Sequence, residues 1–155
     1  MSGMKIHEAV ANLERLIGWG DAADDGSIDL SGNKVFSYDA LVTIAQVNTG
    51  LTIIPAVVGR KYKVVGVWMQ FAGAWAACTD IRVGDTTATP VVVITVEVAQ
   101  AGDGDIHSED AGTNTLGVGF GVDLTESKGV QIYKTGSTAT TGTGVLLRVL
   151  YKITA

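Results

Sequence analysis

Cysteine is nearly missing from this sequence: Cys78 stands alone. An internal disulfide is therefore impossible, and a zinc site built from several thiolates is excluded. Beside Ala76 and Ala77, the lone thiol reads as a small buried apolar side chain. Charge is scarce too. Asp, Glu, Lys and Arg make up 17% of the residues, against about 25% in an ordinary soluble domain. The net charge is −5, and Lys and Arg form no cluster of the kind that phosphate backbones require for counterion release. DNA and RNA are not expected as partners. No apolar run approaches the ~20 residues that cross a bilayer. The first residues also lack the unbroken apolar centre of a signal peptide, because residues 1–5 lead into a stretch holding His7, Glu8, Glu14 and Arg15. The expectation is a soluble protein made in a cytoplasm, without a membrane partner.

Catalytic groups are equally sparse. Only His7 and His107 are available as bases, and neither a G-x-S-x-G elbow nor an H-E-x-x-H pair occurs. Adjacency of His107 and Ser108 is no dyad, since catalytic partners meet in space. No enzyme activity and no cofactor are expected. Asp103, Asp105, His107, Glu109 and Asp110 alternate in a way that could offer oxygen ligands to a hard cation. Asp21, Asp25 and Gly26 match a fragment of an EF-hand loop, but Ala23 and Gly32 occupy ligand positions. Both acidic stretches read as solvated turns, and no metal site is assigned.

What the chain does contain is apolar surface and glycine. Hydrophobic residues reach 46% and Gly contributes 20 of 155 residues, enough for one core that buries roughly 70% of the surface of the unfolded chain. A surface so poor in charge suits a protein largely covered by neighbours. Residues 1–39 are expected to form an N-terminal helix and arm, and residues 40–155 a β-sandwich domain. In residues 5–19, Ile6, Val10, Leu13 and Ile17 recur at helical spacing between Glu8, Glu14 and Arg15. A helix this short needs a surface to dock on, either the body or a partner subunit. Residues 18–33, with Asp21, Asp24, Asp25 and Asp29, read as an acidic arm.

Beyond the arm the period changes to two. Strands are predicted over 40–47, 52–58, 62–71, 80–83, 91–99, 116–124, 129–135 and 144–154, separated by Gly-rich turns. About eight strands without crossover helices give an all-β fold, a sandwich or jelly roll, and strand count alone leaves a closed barrel open. In the last strand, Val145, Leu147, Val149, Tyr151 and Ile153 share one face. Leu146, Arg148, Leu150 and Lys152 share the other, half apolar and half basic. That second face suits a partner better than plain solvent, which makes Leu146 and Arg148 candidate contact residues. Gly117, Gly119 and Gly121 alternate with Leu116, Val118, Phe120 and Val122, which is strand spacing and not a dinucleotide loop. Their side-chain-free face admits close backbone approach, either within the domain or from a partner. Trp68 is expected in the core, and Trp75 is the better candidate for an exposed, sugar-stacking position.

Residues 62–69 (YKVVGVWM), 123–132 (DLTESKGVQI) and 142–153 (GTGVLLRVLYKI) together resemble small virion proteins of tailed bacteriophages, in particular head-decoration or cement proteins. The likeness spans roughly residues 41–155 and has no counterpart for the helical, acidic N-terminal region. It implies a homo-oligomer, often a trimer, that binds the major capsid protein on the outer surface of the virion and braces the shell. On that view the residues engaging partners are Ile6, Val10, Leu13 and Ile17 on the arm, and Gly117, Gly119, Gly121, Leu146 and Arg148 on the body. The alternative is a tail, spike or fibre component that binds a host glycan or receptor.

Overall fold

The computed structural model describes residues 34–109 and 115–154. The expected helix with Ile6, Val10, Leu13 and Ile17 lies outside them, as does Asp110. Nine strands appear in chain order: β1 (Phe36–Thr43), β2 (Leu51–Ile54), β3 (Lys61–Ala72), β4 (Ala76–Asp85), β5 (Val92–Glu97), β6 (Ile106–Ser108), β7 (Thr115–Leu116), β8 (Val130–Thr140) and β9 (Gly144–Thr154). A six-residue helix, α1 (Ile44–Thr49), joins β1 to β2. Sheet A has the order β1-β9-β3-β6 and sheet B the order β2-β8-β4-β5-β7, and every strand pairing is antiparallel. Among these strands, β4 and β5 alone are neighbours both in sequence and in a sheet. Six of the eight links between consecutive strands, all but β4 to β5 and β7 to β8, change sheet, which builds a sandwich and not an up-and-down barrel. No helix among the described residues is long and apolar enough to cross a membrane.

Alternation explains the core. Val145, Leu147, Val149 and Ile153 of β9 point inward together with Val64, Val67, Met69 and Phe71 of β3, and they meet Ile81, Val83, Ile94, Val96, Val130 and Ile132 from sheet B in one cluster. The two faces of β9 divide as its sequence predicts. On β3 the phase slips where the pairing with β9 shifts between Val64 and Gly66, so Tyr62 and Val64 point inward before the bulge and Val67, Met69 and Phe71 after it. One extra residue bends the strand and changes which face later residues occupy. Glu109 accepts a hydrogen bond from the Val67 amide at 3.0 Å, one residue past the pairing of β3 with β6, so that donor is satisfied where β6 ends.

Several expected boundaries move. The strand predicted over 40–47 begins at Phe36 and stops at Thr43, because Thr43 caps α1. Its hydroxyl accepts from the Gln46 amide and its own amide donates to Gln46 Oε1 at 2.9 Å, a reciprocal capping box. β4 and β8 are both longer than predicted, since irregularities at Ala76/Cys78 and Cys78/Ile81 let them stay paired through bends. Cys78 is buried, and burial pushes its thiol above the ordinary value.

One buried carboxylate ties the end of β4 to the rest. Asp85 is fully buried. It accepts hydrogen bonds from the hydroxyls of Thr125 at 2.5 Å and Thr87 at 2.6 Å, and from the Val91 amide at 2.9 Å. Its carbonyl accepts from Gln131 Nε2 at 2.8 Å. Burial pushes this carboxyl upward, yet the hydrogen bonds from Thr125, Thr87 and the Val91 amide outweigh it, so the group titrates below the ordinary aspartate value.

Candidate interaction surface

The outer face of sheet A is built row by row from strand register. Leu41 pairs with Leu146, Leu146 with Gln70, and Gln70 with Ile106; the next row runs Asp39, Arg148, Trp68, Ser108. A third row places Ser37, Leu150 and Gly66 side by side. Because these positions alternate with core residues, they point away from sheet B. Leu41 is 65% exposed, Ile106 51% and Leu146 44%. Single exposed apolar residues are ordinary, but neighbours on one flat face form a patch. At its centre Trp68, Leu150, Leu146 and Gly66 line a groove of about 650 Å³, with Asp39, Arg148 and Glu109 also on its walls.

Charge is placed with equal regularity. Arg148 forms an ion pair with Asp39 across β1 and β9, and hydrogen bonds from Ser37 and from Arg148 hold the Asp39 carboxyl below its ordinary value. The pair keeps the guanidinium in one orientation beside Trp68. Further along the same face Lys63 stands directly opposite Lys152, with Lys61 two residues before Lys63. Like charges directly across a strand pair repel, and Asp123 stands 3.6 Å from Lys63 Nζ. The face therefore sets exposed apolar side chains beside the Asp39–Arg148 pair and has lysines further along.

Of the body residues singled out by sequence, Leu146 and Arg148 lie on this face, and the glycines lie elsewhere. The strand predicted over 116–124 is reduced to Thr115–Leu116. Residues 117–124 instead cross between the sheets: the Gly117 and Gly119 amides donate to Val93 and Val92 of β5, the Gly121 amide to Val64 of β3, and the Leu124 amide to Tyr62. The expected apolar inner face holds only in part: Phe120 packs against the core, whereas Val118 is 85% exposed, and Gly117 and Gly119, unlike Gly121, lie close against Val92. A Cβ at Gly117 would stand 2.0 Å from the Val92 carbonyl oxygen, so here glycine lets two backbones approach within one domain.

The tryptophans exchange their expected roles. Trp75 is only 5% exposed. It packs edge-on against Phe71, with centroids 5.5 Å apart, and lies under the backbone of Gly142, where a Cβ would fall 2.4 Å from the indole. Gly142→Ala is accordingly expected to destabilise the domain by about 2 kcal/mol through overpacking. A thermal melt should show it as a Tm lower by roughly 5–10 °C. Trp68, expected in the core, is the half-buried ring in the groove. The acidic stretch holds its own turn: Asp103 accepts from the Gly73 amide at 2.7 Å, Asp105 from the Gly102 amide at 2.8 Å, and buried His107 is bonded through Nε2 to the Gln100 carbonyl at 2.7 Å. Among the described residues no three His, Cys, Asp or Glu side chains are grouped to hold a metal ion.

No protein-family model matches the sequence, and no curated protein does. Solved structures do resemble it. A chain of the acid-stable capsid of Helicobacter pylori bacteriophage KHP30 matches with a TM-score of 0.50 at 18% identity, over 78% of this chain and 89% of that one. A chain of the cyanophage Pam1 capsid asymmetric unit gives 0.46 at 24% identity, over 81% and 89%. One from the capsid of Ralstonia phage GP4 gives 0.42 at 13% identity, over 82% and 86%. At such identities the likeness is one of fold, carried by the KHP30 chain. The all-β fold expected from the resemblance to small phage virion proteins thus recurs in a chain of a phage capsid.

Proposed function

We propose that this chain is a structural, non-catalytic virion protein that decorates and stabilises the outer surface of a bacteriophage capsid through self-association and contacts with the major capsid protein. The observation that carries this reading is the outer face of sheet A, where exposed Leu41, Leu146 and Ile106 adjoin Trp68 around the Asp39–Arg148 ion pair. Burying such side chains contributes roughly 1–2 kcal/mol each, and contact sites of this kind are apolar at the centre with a polar rim. The shared fold with a chain of the KHP30 capsid supports a virion location. Residues 1–33, with the stripe of Ile6, Val10, Leu13 and Ile17, supply the arm, and a trimer is the form that the cement-protein likeness favours. Gly117, Gly119 and Gly121 act mainly as packing positions that keep the exposed Val118 loop in place for a secondary contact.

The test is to incubate the purified protein with undecorated shells, sediment them, and measure the mass of the free protein by light scattering. Self-association and saturable co-sedimentation are expected, with Leu146→Asp weakening the binding at least tenfold. A strict monomer that stays in the supernatant would overturn the reading. One observation favours a tail or fibre role instead: Trp68 stands in a groove with Asp39, Arg148 and Glu109, a setting in which a sugar ring can stack and hydrogen-bond. Quenching of tryptophan fluorescence by host glycans, lost in Trp68→Ala, together with no shell binding, would select that role.

A further inference from the structure

We infer that the groove around Trp68 receives an arginine side chain of the shell protein, its guanidinium stacked on the indole and paired with Glu109. This rests on the decoration proposed above and names the chemistry of the contact that carries it. The row Asp39, Arg148, Trp68, Ser108 crosses all four strands of sheet A, and Glu109 follows Ser108 at its far end. Trp68 therefore stands between the Asp39–Arg148 pair on one side and Glu109 on the other. These residues line the groove together with Gly66, Leu146 and Leu150, and its volume is about 650 Å³, within the roughly 300–1,000 Å³ of pockets that enclose a compact ligand. Leu146 and Leu150 give aliphatic walls, along which the methylene stem of a long cationic side chain can lie while its head stays polar. Gly66 leaves Leu150 its place, since a Cβ there would stand 3.1 Å from that side chain.

Charge names the head group. The lining carries Asp39 and Glu109 against Arg148, two carboxylates to one guanidinium. That guanidinium is engaged already: Arg148 Nε donates to Asp39 Oδ1, while Asp39 Oδ2 accepts from the Ser37 hydroxyl. Glu109 spends Oε2 on the Val67 amide at 3.0 Å, and its Oε1 accepts from no described residue. Beside the indole the groove thus offers a fixed acceptor that bears negative charge. Lys63 and Lys152 do not cancel it. They stand five residues along β3 from Trp68 and four along β9 from Arg148, roughly 13–16 Å at ~3.3 Å per residue, past the ~8 Å over which physiological salt screens charge. An indole face attracts a cation within about 6 Å of its centroid. A guanidinium stacks there and brings only donors, which suits a site whose open group is an acceptor.

The cation comes from a different protein. Of the described arginines, Arg82 is paired with Asp80 and Arg148 with Asp39, which leaves Arg60, and two copies at −5 each repel one another. Tryptophan and arginine are also the residues that recur as central anchors of protein interfaces, seated in pockets of the partner.

The experiment compares the full-length parent with Glu109→Gln, Trp68→Leu and Arg60→Gln for co-sedimentation with undecorated shells at low and high salt. Glu109→Gln keeps an oxygen for the Val67 amide and Trp68→Leu keeps apolar bulk, so their melts should stay close to that of the parent. Glu109→Gln is expected to weaken shell binding about tenfold, and Trp68→Leu about fivefold. Arg60→Gln should bind as the parent does. The affinity of the parent should fall with salt more steeply than that of Glu109→Gln. Acetylarginine amide should displace the parent from shells, and acetylcitrulline amide, its neutral isostere, should not. A purely apolar contact would leave Glu109→Gln binding as well as the parent or better, because a charge no longer has to be desolvated; that result, or equal competition by the two amides, overturns the inference. Loss of self-association or of shell binding in Arg60→Gln would assign the groove to a second copy and overturn it too. Quenching of Trp68 by host glycans, with shell binding indifferent to Trp68→Leu, would do the same in favour of a sugar. In each of these cases a parent that sediments with shells keeps the decoration reading standing. A parent that stays in the supernatant overturns that reading and the inference together.

Discussion

Replacing Asp85 with Ala is expected to lower the stability of the body by about 3–5 kcal/mol, a large part of the 5–15 kcal/mol that holds a typical domain together. The carboxylate is fully buried and accepts from two hydroxyls and from the Val91 amide. Removing it leaves the Val91 amide and the Thr125 hydroxyl without this acceptor, while the Thr87 hydroxyl keeps the Thr89 carbonyl at 2.7 Å; each group left unsatisfied costs about 1–3 kcal/mol, and the buried carboxylate's own packing is lost as well. The donors come from separate stretches: Thr87 and Val91 from the β4–β5 connection, and Thr125 from the segment before β8. Their loss should loosen one end of the sandwich as a unit. Asp85→Asn keeps one oxygen acceptor and should cost less. Urea melts of the two variants and the parent check the order, and equal stabilities would show that the cluster is not a fastening point.

The same residue sets an acid limit. The folded Asp85 carboxyl titrates below its ordinary value of 3.8, since hydrogen bonds to the charged form outweigh burial. On acidification the unfolded chain therefore takes up its proton first, and stability falls with pH in that range. The contribution is complete above the ordinary carboxylate range and is lost as pH falls through the folded value. Melts between pH 3 and pH 7 should show a falling acid limb that is shallower in Asp85→Asn, where the titrating group is gone.

How much of this was legible in the sequence depended on whether the deciding contact was local. β9 could be read completely, because strict period-two alternation over Gly144–Thr154 leaves one answer for which side is core. β3 could not, because the bulge between Val64 and Gly66 inserts a residue and reverses the phase, which is why Trp68 turns outward. The capping box of Thr43 and Gln46 was visible as T-x-x-Q, but Ile44 and Val47 carry strand-like side chains that concealed it. In residues 117–121 the alternation of residue types was real while its meaning was not. The hydrogen bonds to Val92, Val93 and Val64 come from strands far along the chain, and they turn Gly117 and Gly119 inward and Val118 out. Trp75 is covered by Gly142, and Asp85 is held by Thr125, so neither could be placed from its own neighbourhood. Leu146 and Arg148 could be placed on the outer face because the alternation of β9 was legible alone. Leu41, Trp68 and Ile106, which complete the patch, needed the register of three further strands.

Deleting residues 1–33 is expected to abolish shell binding, a loss of a hundredfold or more, while leaving a folded body. The fold half follows from where the core sits. Among the described residues the buried cluster runs from Val42 to Ile153 and is drawn mostly from sheets A and B, so the Tm of the body should change by no more than a few degrees. The binding half rests on the proposed role of the arm. Removing it takes away the apolar stripe of Ile6, Val10, Leu13 and Ile17, and with it net charge −4 of −5. The remaining body is then nearly neutral, with Leu41, Leu146 and Ile106 still exposed. A neutral protein with an open apolar face tends to associate non-specifically. Truncation should therefore replace a defined oligomer with concentration-dependent aggregation, and Leu146→Asp in the truncated chain should suppress it. Calorimetry, light scattering and shell co-sedimentation on the two chains separate the parts of the prediction. Undiminished co-sedimentation of the truncated body would remove the arm from the attachment mechanism and leave the face of sheet A to act alone.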